Sequence, residues 1–356
     1  MKRLAWEIWA LSARPAMRRY AAALNDPESA QRQVFGSLVA SLEGTAFAAA
    51  HGLKRTCCVS EFRERVPVMD PAGLEPWVQR ILRGEGKVLT RDPVERLVPT
   101  SGSTGPAKLI PMTAASRREY ALAVSLWMGD TLRTHPGIRK GRAYIATSPA
   151  RTVAIENAAV PVGFAEDGAY VGRMERHLLH PLLAVPTGVA ALRGEEWRQR
   201  VTHLLREAHD LRFLSIWHPS YLGALFDPPE WESLRAQWPN LQVISTWADG
   251  ACAAPATHLL RHFPGVTLQR KGLWLTEGVV SLPWRGDTPL ALLNGFLEFE
   301  GRSGEVRLAH ELTRGGLYRP VLSNRRLKNV FGYRPEKSSR ETFLYWLDHA
   351  RKRGDL

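Results

Sequence analysis

The sequence predicts an α/β fold, and three observations carry that prediction. Between Gly141 and Gly304, the short runs Tyr144-Ile145-Ala146, Phe213-Leu214-Ser215-Ile216, Val243-Ile244-Ser245 and Val266-Thr267-Leu268 are apolar and partly β-branched, as buried parallel strands are. Helical segments near 195–209 and 254–263 lie between them, the alternation that builds a parallel sheet with helical crossovers. The chain has 356 residues, 44% hydrophobic and 23% charged, which suits one large globular unit or two domains and excludes a disordered or fibrous chain.

Taken in order, residues 1–53 read as helices. Leu4, Ile8 and Leu11 stand at helical spacing and predict an amphipathic first helix. The positive start and apolar stretch have some signal-peptide character, but Glu7 interrupts the stretch and Arg14, Arg18 and Arg19 follow at once. A second helix is expected from about Ser29, with Val34, Leu38 and Leu42 three to four apart on one face. Residues 54–98 alternate apolar pieces with proline and glycine, then lead through the strand-like Leu97-Val98-Pro99 to a run of small polar residues. A helix is expected over 113–133. There Ser116-Arg117-Arg118-Glu119 has the capping-box pattern, and Tyr120, Val124, Trp127 and Met128 form an apolar stripe. Phe296 through Glu300 alternates as a half-exposed strand, and the last forty residues carry a basic excess.

Charge and cysteine content narrow the function classes. The net charge is +13, from 48 basic and 35 acidic residues. A nucleic-acid binder concentrates such charge in a patch or tail, whereas here arginines are spread along the chain, often beside acids. No apolar run approaches the roughly 20 residues that cross a bilayer, so neither nucleic acid nor membrane is an expected partner. Cys57, Cys58 and Cys252 form neither a zinc spacing nor a disulfide framework, which fits a reducing cytoplasm.

The strongest signal is the run Thr100, Ser101, Gly102, Ser103, Thr104, Gly105, Pro106, Ala107, Lys108. Consecutive small residues let the backbone fold closely round an anion, and amides, hydroxyls and a lysine supply donors and charge. The order is not that of a Walker loop, since Lys108 lies three places after the second glycine and no hydroxyl residue follows it. The run resembles the phosphate-binding loop of the adenylate-forming, acyl-activating superfamily. Its flanks, Gly86-Lys87-Val88-Leu89-Thr90, Arg96-Leu97-Val98-Pro99 and Leu109-Ile110-Pro111-Met112-Thr113, resemble one branch of it, the auxin-responsive acyl-acid amido synthetases (the Gretchen Hagen family) and their bacterial relatives. Val66-Pro67-Val68, Trp247-Ala248-Asp249-Gly250, Leu273-Trp274-Leu275-Thr276-Glu277-Gly278, Phe296-Leu297-Glu298-Phe299 and Gly316-Leu317-Tyr318-Arg319 extend the similarity over roughly residues 20–319.

That resemblance implies the large N-terminal domain of the adenylate-forming fold over residues 1–319, followed by an unmatched basic tail, 320–356. It implies ATP and Mg²⁺ as cofactors and a two-step reaction. A carboxylic acid, an aryl or indolyl acid among the candidates, becomes an acyl-adenylate, and an amine or amino acid then displaces AMP. Thr100 through Gly105 would cradle the phosphates with Lys108, Glu277 would hold Mg²⁺, Thr276 would lie beside the nucleotide, and Asp249-Gly250 would pack near adenine and ribose. Trp127, Met128 and residues near Trp217 are candidate walls of the acyl pocket, with a core role as the alternative; Trp274 is balanced between core and site. His218 and His258 lack metal-like partners and read as structural. One departure stands out. After Arg319 the family has a Tyr-Arg pair and then Gly-Asp, whose aspartate grips the ribose; here Pro320-Val321-Leu322-Ser323-Asn324 follows instead. The change reads as a shortened or frame-shifted C-terminal part and favours, as one alternative, a non-catalytic nucleotide-binding remnant; the basic balance gives a second alternative, a nucleic-acid-binding protein, which the dispersed charge disfavours.

Overall fold

The computed structural model describes residues 2–69, 71–100, 108–146, 155, 158–163, 180–192, 194–300 and 306–309; the expected boundary at 319 and the tail lie outside them. Three helices open the chain: α1 (Lys2–Ser12), α2 (Arg14–Asn25) and α3 (Pro27–Leu42). Aromatic rings, not aliphatic spacing, decide which faces they bury. In α1 the buried residues are Ala5, Trp6 and Trp9, while Leu4, Ile8 and Leu11, expected to face the core, are 65%, 39% and 51% exposed. Indoles carry more apolar area than aliphatic side chains, and the Trp6 indole needs an acceptor, which it finds in the Gly141 carbonyl at 3.0 Å. In α3 the buried face is Ala30, Gln31, Phe35, Val39 and Leu42; of the expected Val34, Leu38 and Leu42, only the last is buried. That helix also starts earlier than expected, because Asp26 caps it by accepting from Ser29 N at 3.1 Å and Pro27 fits its first turn.

Three shorter helices follow: α4 (Ala46–Ala50) within the expected helical region, and α5 (Val59–Arg65) and α6 (Pro71–Leu82) in the stretch that shows only broken apolar pieces in the sequence. Strands β1 (Val94–Pro99) and β2 (Leu109–Thr113) then pair antiparallel, with Val98 opposite Ile110 and Pro99 opposite Leu109. β2 runs straight into α7 (Ala114–Thr134).

The centre is a four-stranded parallel sheet in the order β3 (Arg142–Ile145), β4 (Leu211–Ser215), β5 (Val243–Thr246), β6 (Thr267–Arg270). α8 (Gly194–Arg206) lies between β3 and β4; α9 (Tyr221–Leu225) and α10 (Trp231–Gln237) lie between β4 and β5; α11 (Ala253–Arg261) joins β5 to β6. Alternate strand residues feed two cores. Phe213 and Val243 pack on one side with Trp6, Leu126 and Met128, and Leu214 and Ile244 on the other with Leu205, Trp238 and Phe263. The expected strand Val266-Thr267-Leu268 is shifted to Thr267–Arg270 and is a half-exposed edge strand without a buried residue, which is why it tolerates Gln269 and Arg270. Two small antiparallel pairs follow: β7 (Trp274–Leu275) with β8 (Gly278–Val279), and β9 (Glu298–Glu300) with β10 (Val306–Leu308). Among the described residues no helix is long and apolar enough to cross a membrane, and the three cysteines are free thiols.

Candidate active site

The β1–β2 hairpin carries the glycine- and hydroxyl-rich run as its connection. Ser101, Gly102, Ser103, Thr104 and Gly105 lie outside the described residues, but the neck of the loop is described. Thr100 N donates to the Lys108 carbonyl at 2.8 Å, and Lys108 N donates to Thr100 Oγ1 at 3.3 Å. Both ends of the loop are thereby held side by side, with Lys108 exposed.

α7 is capped by Thr113, not by Ser116. Ser116 N donates to Thr113 Oγ1 at 3.2 Å and Thr113 N donates to Ser116 Oγ at 3.4 Å, a reciprocal box three residues ahead of the expected Ser116–Glu119 one. The strand ends at Thr113 and the helix follows without a linker, so the hydroxyl at the junction captures the free amides. Glu119 is left without a capping task and falls on the second turn.

The other half of the site follows β6. The chain reverses at Gly272, where φ is +77° and a Cβ would stand 2.5 Å from the Ser281 carbonyl, so only glycine fits. β7 and β8 then form a tight hairpin, Leu275 opposite Gly278, with Thr276 and Glu277 at its tip. The Tyr120 hydroxyl donates to the Leu275 carbonyl, fastening that tip to α7. The helix that follows the β1–β2 hairpin is thus joined to the Thr276–Glu277 turn through residues 155 apart in sequence. Between them lies a cavity of about 50 Å³ whose lining includes Ser116, Glu119, Tyr120, Thr276, Glu277 and Asn294. The Asn294 amide donates to the Glu119 carbonyl at 2.6 Å. Glu119 keeps a solvent-open surface, yet the surrounding protein crowds its carboxyl and pushes its pKa up to about 7, with Arg118 pulling the other way.

Of the other expected site residues, the described ones, Thr100, Lys108, Asp249 and Gly250, do not line this cavity. Asp249 and Gly250 follow β5, and Asp249 Oδ1 lies 3.6 Å from Arg270 Nη1 beyond the carboxyl ends of β5 and β6. Carboxyl ends of parallel strands are where open α/β sheets hold ligands. Lys108 is at the hairpin neck, also outside the lining. Trp127, Met128 and Trp274 are buried in the core; the Trp127 indole donates to Gln269 Oε1 at 2.7 Å and the Trp274 indole to the Lys271 carbonyl at 2.9 Å. His218 is tied to its own turn through Ser220 at 2.6 Å, and burial lowers its pKa.

Glu119, Asn294 and Lys271 carry no site signal in the linear sequence. Lys271 is 4% exposed, its ammonium 2.6 Å from Ser215 Oγ and between the rings of Trp127 and Trp217, at 4.6 and 4.7 Å from their centroids. A lysine beside Arg270 reads as surface charge in a linear pattern, and Glu119 reads as a cap; neither spacing signals a site.

An antiparallel hairpin, followed by a helix and a parallel sheet, has the architecture of the large N-terminal domain of the adenylate-forming fold. Two solved structures share this fold. A GH3.15 acyl acid amido synthetase superimposes with a TM-score of 0.63 at 15% identity, covering 76% of this chain and 58% of that one. AtGH3.15 in complex with 2,4-DB gives 0.65 at 16% identity, covering 81% and 62%. Residues 16–226 match the model of the GH3 family N-terminal domain, and the chain belongs to the GH3 family. Among curated relatives, the indole-3-acetic acid-amido synthetase GH3.8 of Oryza sativa subsp. indica is 33% identical over 117 residues, 32% of this chain and 19% of that protein. The indole-3-acetic acid-amido synthetase GH3.2 of Arabidopsis thaliana is 29% identical over 119 residues, 33% of this chain and 22% of that protein. The aligned stretch is therefore about a fifth of the curated relatives' length, and the chain spans about three fifths of the solved ones.

Proposed function

We propose that this chain carries the ATP- and acid-binding part of an acyl-acid amido synthetase, which activates a carboxylic acid as its acyl-adenylate and passes it to an amine or amino acid. The observation that carries this reading is the Tyr120–Leu275 bond, which fastens the Thr276–Glu277 turn to the helix leaving the phosphate-loop hairpin. An aryl or indolyl acid is the substrate class, supported by relatives named for indole-3-acetic acid and by the 2,4-DB complex.

The residues fit the implied cofactors. Mg²⁺ takes one or two carboxylates together with phosphate oxygens and waters, and among the described residues no group of three or more metal-ligating side chains exists, so a single Glu277 at an exposed turn suits an ion that arrives with its nucleotide. Such an ion supplies neutralisation of charge at the α-phosphate under attack. Lys108, held at the loop neck, would donate to a phosphate oxygen, the Thr100–Gly105 loop would surround the phosphates, Thr276 would lie beside the nucleotide, and the Asp249–Gly250 turn would sit near adenine and ribose.

Acid-dependent exchange of pyrophosphate into ATP tests the reading. Glu277→Gln should keep the fold and lower exchange by roughly ten- to a thousandfold, the effect of losing one electrostatic contact in the transition state. Lys108→Ala should weaken ATP binding by about 1.5–3 kcal/mol, the value of a charge-assisted hydrogen bond. Unchanged exchange in both variants would remove the assignment. The Pro320-Val321-Leu322 run, where the family resemblance expects the ribose aspartate, favours a second reading, a nucleotide-binding remnant; ATP binding without exchange in the wild type would decide for it.

A further inference from the structure

We infer that the cavity between α7 and the β7–β8 turn is the subsite for the ammonium group of the amine substrate, with Glu119 recognising it; this rests on the amide-forming reading above. Glu119 lines the cavity, and its carboxylate has no hydrogen-bond or ion-pair partner among the described residues, unlike Glu95 nearby, which is held by Arg117 at 2.7 and 2.8 Å. Asn294 supplies the independent observation. It lines the same cavity and is 4% exposed; its amide nitrogen is used on the Glu119 carbonyl, and its side-chain oxygen has no partner among the described residues. Buried acceptors without donors are rare in folded proteins, and a ligand rich in N–H groups would serve both the acceptor and the carboxylate.

Size and charge select the ligand further. About 50 Å³ holds a few water-sized groups, enough for an –NH₃⁺ and its first carbon but not for an aryl ring. Two carboxylates in the lining disfavour the anionic end of an acid and favour a cation. The two glutamates stand on different elements, Glu119 on α7 and Glu277 on the hairpin tip, which suits one to the incoming amine and the other to the phosphate side.

The test is calorimetric titration of the chain with ethylammonium chloride, with ethanol as the neutral match. Wild type should bind the cation and not the alcohol, Glu119→Gln should lose at least tenfold in affinity, and Asn294→Leu at least threefold. Circular dichroism checks folding, and Glu119→Asp, which keeps the charge at shorter reach, should fall between wild type and Glu119→Gln if the latter is unstable. Equal affinity in all variants, no binding by wild type, or a Glu119→Gln defect in Mg²⁺ binding with none in ethylammonium binding would overturn the subsite. Pyrophosphate exchange by the wild type needs no amine and is measured in parallel. Absent exchange with Glu119-dependent ethylammonium binding would remove the proposed function and leave the subsite standing.

Discussion

Lys271 is a single residue held far from its ordinary chemistry. Burial pushes its pKa from near 10.5 down to about 7, and the two indole faces beside it, which favour the cation, oppose part of that shift. A group with a lowered folded pKa of this sign destabilises the fold fully below about pH 7, and the penalty vanishes as the pH rises toward 10.5. Lys271→Met should therefore gain melting temperature relative to wild type at pH 6, with the gain shrinking through pH 7–10; thermal melts at pH 6, 8 and 10 check it, and a constant difference would show that Lys271 stays charged. Glu119 works in the opposite window. Its raised carboxyl favours the protonated form in the fold, so wild type should lose stability relative to Glu119→Gln as the pH rises from about 4.5 to about 7, and the two should run parallel above that.

At the scale of elements, side-chain anchors between distant segments do the positioning. Tyr120→Phe removes the hydroxyl that fastens the Thr276–Glu277 turn to α7 and leaves the Leu275 carbonyl to water; it should cost about 1 kcal/mol in urea unfolding yet lower pyrophosphate exchange well beyond that fraction of stability. Gln31 pins α3 to the segment before β9, donating to the Leu292 and Gly295 carbonyls at 2.8 and 2.9 Å and accepting from Leu297 N at 2.8 Å. Gln31→Leu orphans three backbone groups at a buried position, and a loss of about 2–4 kcal/mol in the same experiment is expected, since each unsatisfied group costs about 1–3 kcal/mol less whatever water recovers. These anchors explain what the sequence could and could not reveal. β4 and β5 are legible because apolar composition alone makes a central parallel strand, and α7 is legible from its length and stripe. The faces of α1 and α3 were not, because aliphatic spacing ignores that Trp6, Trp9 and Phe35 carry more buried area and that an indole must find an acceptor. The phosphate-loop pattern is contiguous and so readable, whereas the cavity is assembled by Tyr120, Asn294 and Glu119 from segments with no local signature.

The whole molecule carries a net charge of +13. Much of the described arginine is already engaged with acids across the surface: Arg63 with Glu298 at 2.6 Å, Arg117 with Glu95, Arg206 with Glu230 at 2.6 Å, and Arg142 with Asp210, which Lys2 also reaches at 2.7 Å. Such exposed pairs add little to stability, but each returns part of the local field to neutrality. In the sequence the rest of the positive charge is spread along the chain, with an excess in the last forty residues. Diffuse charge binds nucleic acid through counterion release alone, with dissociation constants of about 10⁻⁴–10⁻⁶ M at physiological salt and a steep loss as salt rises. Fluorescence anisotropy with a labelled duplex and a labelled single strand should therefore show micromolar or weaker binding at about 0.15 M salt, without sequence preference and falling by orders of magnitude at higher salt. Nanomolar, sequence-selective binding that survives salt would mean that the arginines form a designed nucleic-acid surface and that the small-molecule reading of the phosphate loop is wrong.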